Sequence, residues 1–575
     1  MHTSANHEQI ASRLSGLSPQ QRQLLTQRLQ KKMVNGHTAI AQTLKRLKVT
    51  HVYGISGTPI DETLAAIAQE GIRPIGVHDQ QAATLMSTAQ NYITGRLTSV
   101  AICSAGPAIT NATTGILVAK DNGWPLVVLG GRRSLKMQGM GCFQDLDAVN
   151  LFQSLTKYVG LVDSTKQIPI ALAQAVQIAM SGRPGPVYLD ITEDALKGDT
   201  IASCPELVSP QSFPGIDGDA IEQAAKLLLT AKHPAVILGK GLRWSAPYAE
   251  VRQLVEDLQI PFVTSPMGRG SLPDDHPLCY NAVRSLLLSQ ADLVLLLGAR
   301  LDWTFRYGAE IPATAKLIQV DIHAPEIGHN IPLAVGIVGD VKQVLQQLLT
   351  QLDRQRPVSN CSGVRAEWFR QLDRQRQQTL MGWEIGAQAE KLPMSPQRLI
   401  AAIRDEIPKD AICAIDGNVI LAAAQQLLPS YLPASRFTPG TNGCMGVGVP
   451  FGIAAKLAYP DRPVIVITGD LAFGFNAMEL ETAVRLKIPA IFIIANNEGH
   501  GIAMRYSNLY PKDYPDRVTM FQPNIRYEQI MTACGGHGEF VDHPHQIKAA
   551  LARSIASGLP ACINVAIDPF APYPQ

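Results

Sequence analysis

Short apolar, β-branched runs recur along this chain, and each closes on Gly, Ser, Asn, Arg or Asp before a stretch of helical length. The clearest case is VIVITGDLAFGFNAMELETAVRLKIPAIFIIANNEGHG, Val464 to Gly501. Val464 to Thr468 reads as a strand, and Ala490 to Ile494 as a second one. Between them lies a helical segment with Met478, Leu480 and Val484 on its expected buried side. Strand, turn, helix and strand make one βαβ unit, with polar residues at the carboxyl ends of both strands. Ligands bind at that edge of open parallel sheets.

The same grammar runs through the rest of the chain. From Val34 to about Leu196 the expected strands are VTHVYG, Ile75 to His78, Leu97 to Cys103, Leu126 to Leu129 and PGPVYLDIT. A Pro/Ser-rich linker from Ile201 to Gly218 precedes a second set, at Ala235 to Leu238, Phe262 to Thr264, Leu293 to Leu297 and Lys316 to Asp321. Residues 353–395 form a charged, Gln/Arg-rich linker of helical character, and the opening unit sits in the last segment. The expected fold is α/β, with three doubly wound parallel-sheet domains at 37–200, 219–352 and 396–575. Residues 1–36 stand apart: Ser18-Pro19 starts a helix with Leu24, Leu25 and Leu29 on a narrow apolar face.

Composition narrows the function classes. A chain of 575 residues exceeds one core, and 46% hydrophobic with 17% charged residues describes a well-buried globular protein. A net charge of +2 gives no electrostatic case for nucleic acid or a membrane surface. The nine cysteines contain no CxxC pair, so neither zinc nor a disulfide framework is indicated, and a reducing cytoplasm is expected. No apolar run reaches membrane-spanning length, and the polar N-terminus lacks a secretion signal.

At the two strand ends of the opening unit, Asp470 and Asn497 are oxygen donors and Gly499 offers a bare carbonyl. Three such ligands suit Mg²⁺, which keeps open positions for phosphate oxygens. Gly-Asp, this interval and Asn-Asn together resemble the diphosphate–metal signature of the thiamine diphosphate enzymes; Leu471 stands where that family has a small residue. In the second set, GKG, SPMGRGSLPDDHP, GARLDWTFRYG and IQVDIHAPEIGHN are similar to the 2-hydroxyacyl-CoA lyases and oxalyl-CoA decarboxylases. The resemblance implies a pyrimidine-binding first domain, a central nucleotide-fold domain and a diphosphate-binding third domain. It implies thiamine diphosphate and Mg²⁺, and an adenine nucleotide rather than FAD in the central domain. It also implies a homodimer or homotetramer with active sites between subunits.

By the same resemblance, Gly417-Asn418, Gly469, Asp470, Leu471, Asn497 and Gly501 face the diphosphate. Met445 in GTNGCMGVGVP props the cofactor into a V. As plain residues, Gly417-Asn418 is a turn and Met445 core filler. In the first domain, Ser104 to Asn111 and Phe143-Gln144 face the cofactor from the partner subunit, with Ile55, Ser56 and Gly57 at the same mouth. Gln144 and Ser56 are the candidate substrate contacts. Arg132 and Arg133 follow a strand end, as surface charge or as a clamp for an anionic group.

Two departures matter. Gln80, in GVHDQQAA, takes the place of the family's glutamate, which bonds the pyrimidine ring and helps move a proton. An amide cannot ionise, and general acid–base assistance contributes ~10²–10⁴-fold. Asp79 and His78 adjoin it, but strand alternation would turn a neighbour to the opposite face. Some relatives, glyoxylate carboligase among them, work without the glutamate. After INVAIDP only FAPYPQ remains, whereas family members acting on coenzyme A thioesters extend further over the substrate. His500 to Val518 is the expected mobile flap, or an ordinary surface loop.

The expected function is a carbon–carbon lyase or decarboxylase acting on a small 2-hydroxyacyl or 2-oxo compound. An acetolactate synthase-like carboligase is the runner-up, and a cofactor-binding scaffold with impaired catalysis is the alternative from another class. LSPQQRQLLTQRL resembles the helix opening modules of nonribosomal peptide and polyketide assembly lines. It implies an assembly-line partner for residues 1–36, against the plainer reading of a solvated helix.

Overall fold

The computed structural model describes residues 33–201, 215–355, 365–501 and 518–574, with Ser18, Gln20, Tyr510 and Pro511. The expected N-terminal helix, apart from Ser18 and Gln20, and most of the expected first linker and flap lie outside the described residues.

In the first domain the strands are β1 (Met33–Asn35), β2 (His51–Gly54), β3 (Arg73–Gly76), β4 (Ser99–Cys103), β5 (Leu126–Arg132), β6 (Tyr158–Val162), β7 (Pro186–Thr192) and β8 (Asp199–Ile201). The central domain carries β9 (Pro234–Leu238), β10 (Phe262–Thr264), β11 (Leu293–Leu297), β12 (Lys316–Asp321) and β13 (Val335–Val338). The third contains β14 (Ile412–Asp416), β15 (Arg436–Phe437), β16 (Val464–Gly469), β17 (Ile491–Asn496), β18 (His537–Val541) and β19 (Ala561–Ala566).

The first sheet runs β3-β2-β4-β5-β7-β6 and the third β15-β14-β16-β17-β19-β18. Counted from the first strand of each sheet, both orders are 2-1-3-4-6-5. Every pairing in these sheets is parallel, in keeping with helical crossovers between strands. The central sheet, β10-β9-β11-β12-β13, has its switch point between β9 and β11. β1 and β8 pair antiparallel, Met33 opposite Ile201, beside the parallel sheet of the first domain.

The first and third domains share one hydrophobic core. The Gln80–Thr94 helix packs on the Gly448–Ala458 helix, and Tyr92 stacks on Trp124 at 4.2 Å with Phe437 and Phe451 edge-on or tilted around them. Burying each such ring contributes about 1.5–3 kcal/mol. The expected linker contains the Ala366–Ala387 helix, which buries Trp368 and Leu372 against the central domain.

Three local expectations are corrected. β3 ends at Gly76, and Gln80 starts a helix whose N-cap is Asp79, so strand alternation does not govern residues 78–80. The segment after Asp470 breaks into two short helices, leaving Met478 at the junction 52% exposed instead of buried. Arg132 lies inside β5, where its Nη1 donates to buried Asp190 at 2.9 Å. It is neither surface charge nor free to clamp a ligand, and Arg133 pairs with Glu193 at 3.4 Å.

Candidate active site

β14, β16 and β17 end side by side, and the turn after each closes on one cavity. Gly417, Asn418, Met445, Gly469, Asp470, Leu471, Asn497, Gly499 and Gly501 all line it, so the whole third-domain set meets there, together with His500. Met445 is half-buried at its wall and does not fill the core.

Asp470 is buried, and its carboxylate accepts from Leu471 N at 2.7 Å and Gly499 N at 3.0 Å. Burial pushes its pKa up to about 6 against the opposing pull of these N–H groups. The Asn497 amide has two orientations. With nitrogen inward it donates to Gly499 O and Asp470 Oδ1, both at 3.0 Å. With oxygen inward, it faces two other oxygens at that distance, which is repulsive unless a cation sits among them. Adjacent ligands of an octahedral Mg²⁺ at ~2.1 Å are ~3.0 Å apart, so the donor set fits that ion. Among the described residues there is no cluster of three or more His, Cys, Asp or Glu side chains suited to a metal.

Asp416 holds the neighbouring turns together. Its two oxygens accept from Gly417 N at 2.7 Å and Gly448 N at 2.8 Å, tying the Gly417-Asn418 turn to the helix after Met445. Its pKa, too, is raised to about 6 by burial. Gly446 between them has φ +89°, and a Cβ there would lie 2.6 Å from the Phe475 Cβ. The sequence reading missed Asp416, although an acid ending an apolar run before Gly-Asn repeats the pattern of Asp470.

The first-domain candidates gather at the corresponding edge of their own sheet. Gln80 is 8% exposed, and its Oε1 accepts from Asn111 Nδ2 at 3.4 Å. A Cβ on Gly57 would lie 2.9 Å from that of Ser104, and one on Gly106 2.8 Å from that of Gln144. Gln144 is half-buried with φ +60°, and exposed Ser56 donates to Asp61. Neither neighbour of Gln80 is free: Asp79 accepts from Gln81 N at 2.7 Å, and the His78 ring meets Glu481 at 2.8 Å. None of Ser56, Gln80 and Gln144 lines the third-domain cavity of the same chain.

The chain matches three family descriptions in order. Residues 34–151 match "Thiamine pyrophosphate enzyme, N-terminal TPP binding domain", 221–348 the central domain, and 417–565 the C-terminal TPP binding domain. Human 2-hydroxyacyl-CoA lyase 1 is 34% identical over 559 residues, covering 94% of this chain and 95% of that protein. The chain belongs to the thiamine diphosphate enzymes. Oxalyl-CoA decarboxylase of Escherichia coli (strain K12) is 31% identical, over 94% of this chain and 96% of its own. An acetolactate synthase large subunit of Mycobacterium tuberculosis is 32% identical, over 93% and 96%. The chain is thus an enzyme of the lyase, decarboxylase or carboligase kind.

This thiamine diphosphate enzyme has a second, larger cavity of about 520 Å³ beyond the ends of β9, β11 and β12. Arg183, Lys240, Arg284 and Arg300 face it, with Trp303 and, from the C-terminal tail, Tyr573. Lys240 is half-buried, donates to Asn122 Oδ1 at 2.8 Å, and has its pKa brought down to about 7 by the loss of water around it. Trp303 Nε1 donates to Thr441 O at 2.7 Å, joining this cavity to the loop that carries Met445. Glu479, also missed from sequence, is a buried carboxylate that accepts from His78 N at 2.8 Å and Thr482 Oγ1 at 2.6 Å. It fixes the loop leading to Gln80 against the third domain. Among the described residues no helix is long and apolar enough to cross a membrane.

Proposed function

We propose that this chain is a Mg²⁺-dependent lyase or decarboxylase that breaks a carbon–carbon bond beside the carbonyl of a 2-hydroxyacyl or 2-oxo compound. The supporting observation is the third-domain cavity, where Asp470, Asn497 and Gly499 converge at a spacing suited to Mg²⁺. Bound thiamine diphosphate supplies a carbanion for addition to the carbonyl and a sink for the electrons of the breaking bond. Asp470, Asn497 and the Gly499 carbonyl hold the cation. The turns at Gly417-Asn418 and Gly469 to Leu471 admit the diphosphate close to the backbone, and Gly501 keeps the opposite wall open. Met445 gives the cofactor its apolar support. Gln80 holds the pyrimidine through its amide, with no ionisable proton to share. Gln144 and Ser56 offer hydrogen bonds to the substrate.

In this reading two copies complete each site, as a homodimer or homotetramer. Large apolar side chains stand exposed beside both half-sites, Met140 and Phe143 next to Gln144, Phe475 and Met478 beyond Asp470. The central cavity would take an adenine nucleotide, its arginines facing phosphates and Trp303 the base. That nucleotide is the handle of a coenzyme A thioester, the substrate class named for two of the relatives. The free cysteines fit work in a reducing cytoplasm. A carboligase is the second reading, favoured by the acetolactate synthase relative. The scaffold alternative rests on Gln80 alone, and assembly-line docking on residues 1–36 alone.

The test is an assay of the purified protein with thiamine diphosphate on 2-hydroxyacyl thioesters, 2-oxo acids and aldehyde pairs. Release of CO₂ or an aldehyde, lost with EDTA and restored by Mg²⁺, is expected. Cleavage of neither acyl class, or cleavage that survives chelation, contradicts the reading; CO₂ released only in step with a coupled product, or coupling of aldehydes without cleavage of either acyl class, selects the carboligase.

A further inference from the structure

The cavity of Asp470 and Met445 belongs to the third domain, yet the loop that presents Met445 is held largely from outside it. Gly440 to Gly446 has little shape of its own: Gly440, Gly443 and Gly446 have φ of +81°, +62° and +89°, so three of its seven residues leave the backbone free of a side chain. A loop of that kind takes its position from what grips it. At the Gly446 end the grip is local, Asn476 Nδ2 donating to Gly446 O at 2.7 Å. At the Gly440 end it comes from the other two domains.

Beyond β11, Arg300, Asp302 and Trp303 all reach Thr441. Trp303 Nε1 donates to Thr441 O at 2.7 Å, Thr441 Oγ1 donates to Asp302 Oδ2 at 3.2 Å, and Arg300 Nη2 donates to Thr441 Oγ1 at 3.4 Å. Asp302 is itself fixed, its other oxygen accepting from Thr304 N at 3.0 Å. From the first domain, Asp121 Oδ2 accepts from Asn442 N at 3.0 Å, and the Asp121 carbonyl accepts from the same Arg300 nitrogen at 3.0 Å. One cluster thus joins three domains at two residues of the Met445 loop. Trp303 is 53% exposed, so its ring does not fill a core, and its indole N–H is committed to the loop.

We propose, on the reading of Met445 as the cofactor's apolar support, that Trp303 and Thr441 are positioning residues for it. The central domain then takes part in the cofactor site without touching the cofactor. Releasing this clamp leaves Asp470, Asn497 and the Gly446 anchor in place, so the loss falls on the placement of Met445 and not on the hold on metal and diphosphate. A hydrogen bond of this kind contributes a factor of about 2–10. A small displacement of a supporting group carries over into rate.

Cys444 reports on the loop before any cofactor is added. It is half-buried, its Sγ donates to Met445 O at 3.5 Å, and burial with the nearby Asp416 charge pushes its thiol up to about 11, so a held loop labels slowly. Trp303→Phe keeps an aromatic ring without the donor, and Thr441→Val keeps the branch without the hydroxyl. In the full-length protein each should speed iodoacetamide labelling of Cys444 about threefold or more, read by peptide mass spectrometry. Cys142 and Cys534, also half-buried, should label at wild-type rates, and Thr441→Ser, which keeps the hydroxyl, should match wild type at Cys444. With saturating thiamine diphosphate and Mg²⁺, deuterium exchange at the thiazolium carbon should slow severalfold in Trp303→Phe and Thr441→Val but not in Thr441→Ser, at cofactor affinity within about threefold of wild type. Cys444 labelling unchanged in both Trp303→Phe and Thr441→Val, or its acceleration matched at Cys142 and Cys534, overturns the clamp. Faster labelling of Cys444 with exchange at the wild-type rate means that the clamp holds the loop while Met445 does not shape the cofactor, which overturns the positioning role together with that reading of Met445.

Discussion

The first and third domains carry sheets of one strand order, but their carboxyl edges are built from different chemistry. At the third, the ends of β14 and β16 bear Asp416 and Asp470, both buried and both held by backbone N–H groups. At the first, the corresponding strands end in Gly54 and Cys103, and the proposed contact side chains are hydroxyls and amides: Ser56, Gln80, Asn111 and Gln144. Keeping two carboxylates in a dry edge is costly unless dipoles or a cation answer them, so the third edge is preorganised for positive charge and phosphate. The amides and hydroxyls of the first edge can orient a ring or a carbonyl, while its carboxylates, Asp61 and Asp79, are taken up by Ser56 and Gln81 N. In the proposed reading, one architecture thus supplies an anchor in one domain and a contact surface in another.

The contrast is broken most strongly at Asp470. Replacing it with alanine should lower Mg²⁺-dependent affinity for thiamine diphosphate by at least ~100-fold, measured by calorimetry, with the fold retained. Asp416→Ala comes next. It leaves Gly417 N and Gly448 N without their acceptor and should cost about 1–3 kcal/mol in denaturant unfolding. Its titration adds a signature. A folded pKa of about 6 against a reference of 3.8 means that the native state holds a proton the unfolded chain has lost. Asp416 should therefore contribute a fall in wild-type stability as pH rises from about 4 to about 6, and Asp416→Ala should make that slope shallower, Asp470 keeping its own share. The smallest effect is at Glu479→Gln, which loosens the His78 loop across the domain boundary. Turnover should drop severalfold while cofactor affinity stays within about twofold; a large loss of affinity would place Glu479 with the anchor instead.

Much of this was legible from the chain, because parallel strands bury both faces and announce themselves as apolar runs with polar ends. The three sheets and the convergence of the Asp470 and Asn497 turns follow from such local text, whereas the departure at Gln80 is visible only against the glutamate of the family the chain resembles. β13, VGIV, escaped notice because glycine interrupts so short a run. Gln80 was placed on a strand since the apolar stretch from Ile75 continues past the true end of β3 at Gly76. Arg132 looked free because its counter-charge, Asp190, arrives 58 residues later on β7. The His78–Glu479 lock spans 401 residues and leaves no periodicity to read.

The central claim is that anchoring and activation are separate, the third domain holding the cofactor intact while position 80 limits proton transfer. Deuterium exchange at the thiazolium carbon of saturating bound cofactor tests it directly, in wild type and in Gln80→Glu. The account predicts exchange faster by about 10²-fold or more in Gln80→Glu, at cofactor affinity within about threefold of wild type. Equal exchange rates in the two proteins would contradict it, since another group would then be moving the proton.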